Sequence, residues 1–386
     1  AASEAISGQY KTGEFMTLKI GNTIIPTNII LSPLSGCTDR PFRSICRDHG
    51  CKFAFFEMMD SSALVHSHKK TLKMMSTEAN EGPIGAQILG SDPGMVLEAC
   101  HMILQSSKPL IMDLNCACPA KKVIRKGAGS FLLKDQKRAE KIIKKMASEL
   151  PVPVTVKLRS SFTKIGGLEG LKLAKKAQDL GVSAVFLHGR SMTQGYAGKV
   201  DYEAIRQVKQ ALKIPLIASG DILSPELAKK MLDETGCDGI AVARGSFGNP
   251  WIFSQIEAFL ADERPPSPSY EDIRKTAKTH LELYREFREE LSYVPRRSRK
   301  KIGTVPSERS ERVDCPIFLA ESGAAKPKST AERHYLGHLR KIAMWYSKGL
   351  PYSKRAREAI TNASSYGEIV GVLDRLKQLD NPWLKR

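Results

Sequence analysis

Several hallmarks of membrane, secreted and dinucleotide-binding proteins are missing from this sequence. It contains no unbroken apolar run of the roughly 18 residues that a membrane-spanning helix needs. Its first thirty residues lack the charged start, apolar middle and small-residue cleavage site of a secretory signal. The eight cysteines form no compact disulfide framework, which favours reduced thiols and a cytoplasmic location. No GxGxxG motif follows any predicted strand, so a Rossmann-type dinucleotide site is disfavoured.

The charge of the chain is strongly and unevenly positive. The formal net charge is +19, and residues 264–386 contain 26 Lys and Arg against 15 Asp and Glu. Residues 1–263 contain 34 Lys and Arg against 26 Asp and Glu. A basic excess concentrated in the smaller C-terminal part suits a polyanionic partner, nucleic acid before membrane, although a solvated basic surface without a partner has the same composition.

The first two thirds of the chain alternate short apolar runs with helix-like segments. Most of the runs are continuously apolar, as in parallel strands that are covered on both faces. Eight such units over about 250 residues predict an α/β fold, a (β/α)8 TIM barrel, with an open doubly wound sheet as the alternative. The predicted strands are 29–32, 53–58, 83–89, 110–115, 152–158, 184–188, 215–218 and 239–243. The predicted helices between them are 93–106, 134–149, 168–180, 201–212 and 224–235.

The pattern changes after the barrel-like region. We expect a catalytic domain over 1–262 and a smaller all-helical domain over 263–386, with helices at 270–290, 330–347 and 353–379. Residues 291–329 are rich in Pro, Ser, Lys and Arg, and they have too few apolar residues to pack. We therefore predict a flexible basic insertion there.

Polar residues at the strand ends mark the predicted active site, because barrel enzymes place their chemistry at the carboxyl ends of the strands. In chain order they are Ser35-Gly36, Glu57, Gln87, Asn115 to Cys118, Lys157, Arg159, His188, Ser219-Gly220-Asp221 and Arg244-Gly245. Any one of them alone is more often a structural group than a ligand. The last two sets, with their glycines and Arg244, suit a phosphate site. A monophosphate flavin such as FMN fits this site, and Lys157 could stabilise negative charge on its reduced ring.

Cys118 and the basic loop after it carry the other candidate chemistry. A thiol at the end of the fourth strand could act as a general acid or a nucleophile, or have no chemical role. Cys116 lies two residues away, but no second pair at ligand spacing supports a metal site. The cations Lys121, Lys122, Arg125 and Lys126 follow within a short loop. Beside an active-site thiol they are suited to binding phosphates, whereas elsewhere such a loop would simply be solvated.

Six segments resemble the tRNA-dihydrouridine synthases, most closely the bacterial B-type branch, and they occur in the family's order over about 24–260. The matching segments are Ser32 to Arg43, Asp113 to Val123, Val154 to Arg159, Leu187 to Arg190, Gly220 to Ile222 and Arg244 to Phe253. Arg340-Lys341, Trp345-Tyr346 and Gly349 resemble the family's helical domain more loosely.

The resemblance implies an FMN-bearing barrel and a helical domain that together bind tRNA. We expect a monomer, because the second domain already completes the RNA site, and we expect neither a metal nor a membrane partner. NADPH reduces the flavin, a hydride passes to carbon 6 of a uracil, and Cys118 protonates carbon 5. The implied FMN contacts are Pro33, Leu34, Ser35, Gln87, Lys157, His188, Ser219, Gly220, Asp221, Ala243 and Arg244. The implied contacts to uracil and RNA are Asn115, Lys121, Lys122, Arg125, Lys126 and Arg159.

Three residues depart from the family pattern and leave two alternatives open. Ala117 and Ala243 replace glycines, and Ser219 replaces an asparagine that contacts flavin. We interpret these changes as divergence rather than loss of activity, because Cys118, Lys157 and His188 remain. The alternatives are an FMN barrel reductase of a small molecule and a tRNA-binding protein that has lost catalysis. The first of these would leave the basic C-terminal region unexplained.

Overall fold

The computed structural model describes residues 17–66, 75–78, 81–163, 165–292, 335–348 and 353–375. The chain divides into two compact units between Ser267 and Pro268. Of the insertion predicted at 291–329, only its first two residues are among those described, and they lie at the end of a helix. None of the helices in these ranges is long and apolar enough to cross a membrane.

A short antiparallel hairpin precedes the barrel strands. It consists of β1, Leu18–Ile20, and β2, Thr23–Ile25, with Ile20 paired to Thr23. Ile20 and Ile25 are fully buried in a cluster with residues from the strands that follow, including Phe55 and Phe186. The hairpin therefore belongs to the hydrophobic core, and it was not predicted from the sequence.

Nine strands build a closed parallel barrel with eight positions. The circuit closes because β3 pairs on one side with β4 and on the other with β11. β4 and β5 are two pieces of the second position, and both pair with β6. The strands are β3 Ile29–Leu31, β4 Ala54–Phe55, β5 Met59–Asp60, β6 Ile84–Leu89, β7 Met112–Cys116, β8 Val154–Arg159, β9 Ala184–His188, β10 Leu216–Ser219 and β11 Gly239–Val242.

The burial of these strands explains their sequences. All six residues of β6 and all five of β7 are buried, as expected when side chains on one face fill the barrel and those on the other meet helices. The prediction of a (β/α)8 barrel is confirmed, and the open doubly wound sheet is wrong. The continuous second strand predicted at 53–58 is also wrong, because the chain leaves strand geometry between Phe55 and Met59.

Nine helices of the described residues belong to the first unit, and most of them begin at a side-chain cap. The side chains of Asp39, Asp92, Asp135, Asp201 and Ser224 each accept a hydrogen bond from a backbone N–H of the first helical turn. The helices are α1 Arg40–Asp48, α2 Ser61–His66, α3 Pro93–Ser107, α4 Lys121–Arg125, α5 Gln136–Glu149, α6 Glu169–Asp179, α7 Tyr202–Ala211, α8 Pro225–Thr235 and α9 Ile252–Leu260.

The described part of the second unit is helical, with α10 Tyr270–Ser292, α11 Leu336–Tyr346, α12 Ser353–Asn362 and α13 Tyr366–Arg375. The single helix predicted at 353–379 is wrong, because it is interrupted between α12 and α13. Ser364 pairs with the Glu368 side chain, and the Ser365 hydroxyl accepts from the Glu368 N–H at 3.2 Å, so this serine pair starts a new helix. Residues 376–379 lie outside the described ranges.

Candidate active site at the barrel mouth

The carboxyl ends of the barrel strands lie at one end of the barrel, because all the strands run parallel. We call the residues at and directly after these ends the barrel mouth. Residues predicted from the sequence reach it from all eight strand positions. Pro33, Leu34 and Ser35 follow β3, and Glu57 lies in the break between β4 and β5. Gln87 lies in β6, Asn115 lies in β7 with Cys118 just after it, and Lys157 and Arg159 lie in β8. His188 ends β9, Ser219 ends β10 and precedes Gly220 and Asp221, and Ala243 and Arg244 follow β11.

The loop after β3 is held in place by two polar contacts. The Leu34 N–H donates to the Thr38 hydroxyl at 3.0 Å, and the Gly36 N–H donates to the carboxylate of Glu57. Glu57 lies in the break of the second strand, so this break positions a hydrogen-bond acceptor for the neighbouring loop. The predicted flavin contacts Pro33, Leu34 and Ser35 are buried or half-buried.

A chain of buried polar side chains crosses β6, β7 and β8. The Thr155 hydroxyl donates to Asp113 Oδ1 at 2.6 Å, and Gln87 Nε2 donates to Asp113 Oδ2 at 2.7 Å. Asn115 Nδ2 in turn donates to Gln87 Oε1 at 2.7 Å. Burial raises the pKa of Asp113 to about 6 even though these hydrogen bonds favour its charged form. The chain is continuous because Asp113 is in register with both Gln87 and Thr155.

Cys118 lies on a turn that Asn115 organises. The Oδ1 atom of Asn115 accepts from the N–H groups of Ala117 and Cys118, at 3.0 and 2.9 Å. The Cys118 thiol side chain is half-buried, whereas Cys116 is fully buried and burial raises its pKa. Ala117 has no positive φ, so the turn accommodates its methyl group. Of the two neighbouring thiols, Cys118 is therefore the one that solvent and ligands reach.

The basic segment after Cys118 forms the short helix α4. Four cationic side chains on and beside it are exposed, and the Lys126 ammonium lies 3.3 Å from the Asp60 carboxylate. This arrangement places positive charge next to Cys118 in the chain and beside the barrel mouth. The four cations are Lys121, Lys122, Arg125 and Lys126.

Lys157 is partly buried on β8. Its Nζ lies 3.4 Å from the Ser32 hydroxyl, a weak contact. Burial lowers the pKa of Lys157 to about 8, and the nearby Asp113 carboxylate opposes this shift. The charged form of Lys157 is therefore less stable here than in water, and a bound anion would stabilise it.

Arg159, which the resemblance assigns to substrate, is buried and braces two loops of the barrel mouth. Its Nε donates to the Ala117 carbonyl at 2.8 Å. Its Nη1 donates to the carbonyls of Ser191 and Gly195, each at 2.9 Å. The guanidinium also lies 5.9 Å from the ring centroid of Tyr196. Arg159 therefore ties the turn of Cys118 to the loop after β9.

His188 carries an unsatisfied buried nitrogen. Its Nδ1 lies 3.5 Å from the Ser219 hydroxyl, and its Nε2 is buried without a hydrogen-bond partner among the described residues. The pKa of His188 is held well below its usual value, first by burial and then by the surrounding cations. The imidazole is therefore neutral at physiological pH and offers one free ring nitrogen.

The loops after β10 and β11 meet at Asp221. Its carboxylate accepts from both Arg190 and Arg244, the latter at 2.9 Å. The backbone of Gly220 has φ +127°, and a Cβ there would lie 2.7 Å from Val200 Cγ2. Arg244 also lies 4.7 Å from the ring centroid of Tyr196.

The glycine after Arg244 has a packing role. A Cβ on Gly245 would lie 2.1 Å from the Ile222 carbonyl oxygen, so only glycine fits where the two loops touch. Ala243 precedes a 3-10 turn, Arg244–Ser246, and its carbonyl accepts from the Ser246 hydroxyl at 2.7 Å.

Two residues that shape this site were missed as site residues in the sequence. Arg190 is 2% exposed and binds Asp221 together with the carbonyls of Ala197 and Gly198. Asp113 lies inside a strand, where a single polar residue resembles a satisfied core group. Only the strand register shows that it is a neighbour of Gln87.

The described residues contain no group of three or more His, Cys, Asp or Glu side chains that could hold a metal ion. The seven cysteines in this part of the chain form no disulfide bond with one another.

Comparison with known proteins identifies the family. The family model described as Dihydrouridine synthase (Dus) matches residues 30–313. A tRNA-dihydrouridine synthase B from Pseudomonas aeruginosa is 36% identical over 301 residues, covering 76% of this chain and 90% of that protein. A protein of the same name from Vibrio vulnificus is 38% identical, and the match covers 74% of this chain and 88% of that protein. One from Xanthomonas axonopodis pv. citri is 37% identical, and the match covers 83% of this chain and 96% of that protein. This chain belongs to the dihydrouridine synthase family.

Proposed function

We propose that this enzyme reduces uridines of tRNA to dihydrouridine at the barrel mouth, with FMN as bound cofactor, NADPH as reductant and Cys118 as proton donor. The observation that carries the proposal is the turn of Cys118. It places a half-buried thiol at the end of β7, beside exposed cations, while the neighbouring Cys116 is fully buried.

The residues of the barrel mouth fit a flavin. The buried His188 Nε2 has no hydrogen-bond partner within the described part of the chain, so a polar atom of a ligand would satisfy it. Among the same residues, Lys157 has only a weak hydrogen bond at 3.4 Å, and Arg244 provides a further cation. We assign the flavin contacts to Pro33, Leu34, Ser35, Gln87, Lys157, His188, Ser219, Gly220, Asp221, Ala243 and Arg244.

Bound FMN, once reduced, would supply the hydride that adds to carbon 6 of the uracil. Hydride addition builds enolate-like charge, and the Cys118 thiol transfers its proton to carbon 5. Lys157 stabilises negative charge beside the reacting rings. Asn115 positions the turn that carries the thiol, and Arg159 braces the same turn from β8.

The basic residues hold the RNA while the target base enters the site. A base that reacts inside a barrel must leave its stack, so the phosphates around it need a positively charged rim. We assign this rim to Lys121, Lys122, Arg125 and Lys126, and further phosphate contacts to the basic helical unit that follows the barrel.

The experiment is an absorbance spectrum of the purified protein, followed by NADPH-driven turnover on unmodified tRNA. We expect bound flavin and dihydrouridine detected by nucleoside mass spectrometry. Flavin without turnover on RNA would instead favour a reductase of a small molecule. A colourless protein that binds tRNA and cannot be loaded with FMN would favour a tRNA-binding protein that has lost catalysis.

A further inference from the structure

One fully buried carboxylate has no place in the chemistry proposed above. Asp113 is 1% exposed and lies within β7, two residues before Asn115. It is the end of the hydrogen-bonded chain that runs through Gln87 to Asn115 and on to the amides of Ala117 and Cys118. Each link is a direct bond of 2.7–3.0 Å.

The chain has a direction, and the carboxylate sets it. An ionised carboxylate only accepts hydrogen bonds, so Gln87 must turn its NH₂ group toward Asp113 and its oxygen toward Asn115. Asn115 must then turn its own NH₂ group toward Gln87, which leaves its oxygen for the two backbone N–H groups. If the Gln87 amide were reversed, the Asn115 amide would have to reverse as well. Its NH₂ group would then face the backbone N–H groups of Ala117 and Cys118, which cannot accept a hydrogen bond.

The Asp113 carboxylate stays charged in the folded protein although its burial disfavours the charged form. Burial raises the pKa of Asp113 to about 6, so the group is mostly ionised at neutral pH in spite of its surroundings. A carboxylate retained in such a place, with its charge satisfied by two side-chain donors, suits a role in orienting those donors.

We propose that Asp113 is a positioning residue of the reaction, whose carboxylate orients the amides of Gln87 and Asn115 and thereby holds the turn that presents Cys118. This inference rests on the proposed function, in which Cys118 is the proton donor. Asp113 touches neither substrate nor cofactor and acts through Gln87 and Asn115.

Asp113→Asn tests the proposal, with Thr155→Val as the matched control. Asparagine offers a donor as well as an acceptor, so it no longer imposes one direction on the chain. Valine at 155 removes a hydrogen bond to the same carboxylate but leaves the links to Asn115 intact. We expect Asp113→Asn to lower kcat about tenfold or more while KM for tRNA changes less than about twofold, because misplacing a reacting group affects the chemical step. Thr155→Val should keep kcat within about threefold of wild type.

A second readout does not depend on catalysis. The rate at which iodoacetamide alkylates Cys118, followed on its own peptide by mass spectrometry, should rise about threefold or more in Asp113→Asn, because a loosened turn exposes the thiol. In Thr155→Val it should stay within about twofold. If Asp113→Asn does not fold, Gln87→Leu interrupts the same chain one link nearer the turn and should give the same rise.

An alkylation rate and kcat like those of wild type in Asp113→Asn would overturn the proposal. An equal loss in Thr155→Val would do so too, because it would show a general packing defect. Wild-type protein that forms no dihydrouridine would refute the proposed function, whereas the alkylation comparison would still decide whether Asp113 positions the turn.

Discussion

At the scale of single residues, the same side-chain type has different chemistry at neighbouring positions. Cys116 and Cys118 are two residues apart, yet one is fully buried with a raised pKa and the other is half-buried at the barrel mouth. Lys157 and Lys209 differ in a comparable way. Both are partly buried, but Lys209 is ion-paired with Asp238, whereas the only polar contact of the Lys157 ammonium within the described ranges is a weak one to Ser32. The environment therefore separates the residues that we propose to be functional from their structural neighbours.

The lowered pKa of Lys157 predicts a stability cost. Its pKa falls from 10.5 to about 8, which corresponds to roughly 3 kcal/mol of unfavourable free energy for the charged form. We expect Lys157→Met to raise the free energy of unfolding at pH 7, measured by urea denaturation without flavin, while weakening flavin binding.

The stability that Lys157→Met gains over wild type should decrease as the pH rises. Between about pH 8 and 10.5 the unfolded chain binds a proton at Lys157 that the folded chain does not, so wild-type stability rises with pH relative to the variant. The advantage of Lys157→Met should therefore be largest below pH 8 and vanish by about pH 10.5. Lys209→Met is the control and should lower stability, because it breaks an ion pair. A Lys157→Met protein less stable than wild type at pH 7 would contradict the account.

At the scale of elements, the β1–β2 hairpin is part of the barrel core. Ile20 is fully buried in the cluster that includes Phe55 and Phe186, whereas the neighbouring Ile24 is 65% exposed. We expect Ile20→Ala to lower the free energy of unfolding by about 2–5 kcal/mol in chemical denaturation. The matched variant Ile24→Ala should change it by less than about 0.5 kcal/mol. Equal effects of the two changes would mean that the hairpin does not pack as described.

The helix α4 is the element to which we assign the RNA phosphates. Replacing Lys121, Lys122 and Arg125 together by alanine should weaken tRNA binding about tenfold or more at low salt. It should also reduce the slope of log affinity against log salt concentration by about 2. Lys141→Ala/Lys144→Ala removes two exposed lysines from α5 and should leave that slope nearly unchanged. An unchanged slope in the α4 variant, in binding measured across salt concentrations, would remove this helix from the RNA site.

An element could be predicted from the sequence when it was long enough to show a pattern and when its contacts were local in the chain. Strands such as β3 and β11 were predicted because they are continuous apolar runs. The β1–β2 hairpin was missed because three-residue strands show too little periodicity. The break in the second strand could not be foreseen, since Glu57 is held there by the Gly36 amide of another loop. Asp113 was missed as a site residue because its neighbours are set by strand register.

At the scale of the whole molecule, a closed parallel sheet explains how distant segments form one site. Residues from Pro33 to Arg244 reach the barrel mouth because every strand ends on the same side. The topological rule predicted the polar strand-end positions from the sequence, whereas Pro33, Leu34 and Ala243 were predicted from the resemblance to the family. It could not predict which of these side chains are already hydrogen-bonded within the protein. Asp221, for example, accepts from both Arg190 and Arg244, which lie more than twenty residues away in the chain.

The basic charge is also a property of the whole chain. Both parts of the sequence carry a net positive charge, and the smaller C-terminal part carries more of it. Long-range attraction from such a distribution speeds the approach of a polyanion and weakens as salt screens it. This agrees with the proposal that both units contribute to binding tRNA.

We propose that Cys118 donates the proton, and a comparison of Cys118→Ala with Cys116→Ala in NADPH-driven dihydrouridine formation on unmodified tRNA tests this role. Loss of a general acid typically slows a reaction about 10²–10⁴-fold, so Cys118→Ala should lose at least about 100-fold in kcat while keeping its flavin. Cys116→Ala, which alters a buried core thiol, should retain kcat within about tenfold of wild type once folded. Full turnover by Cys118→Ala would contradict the account.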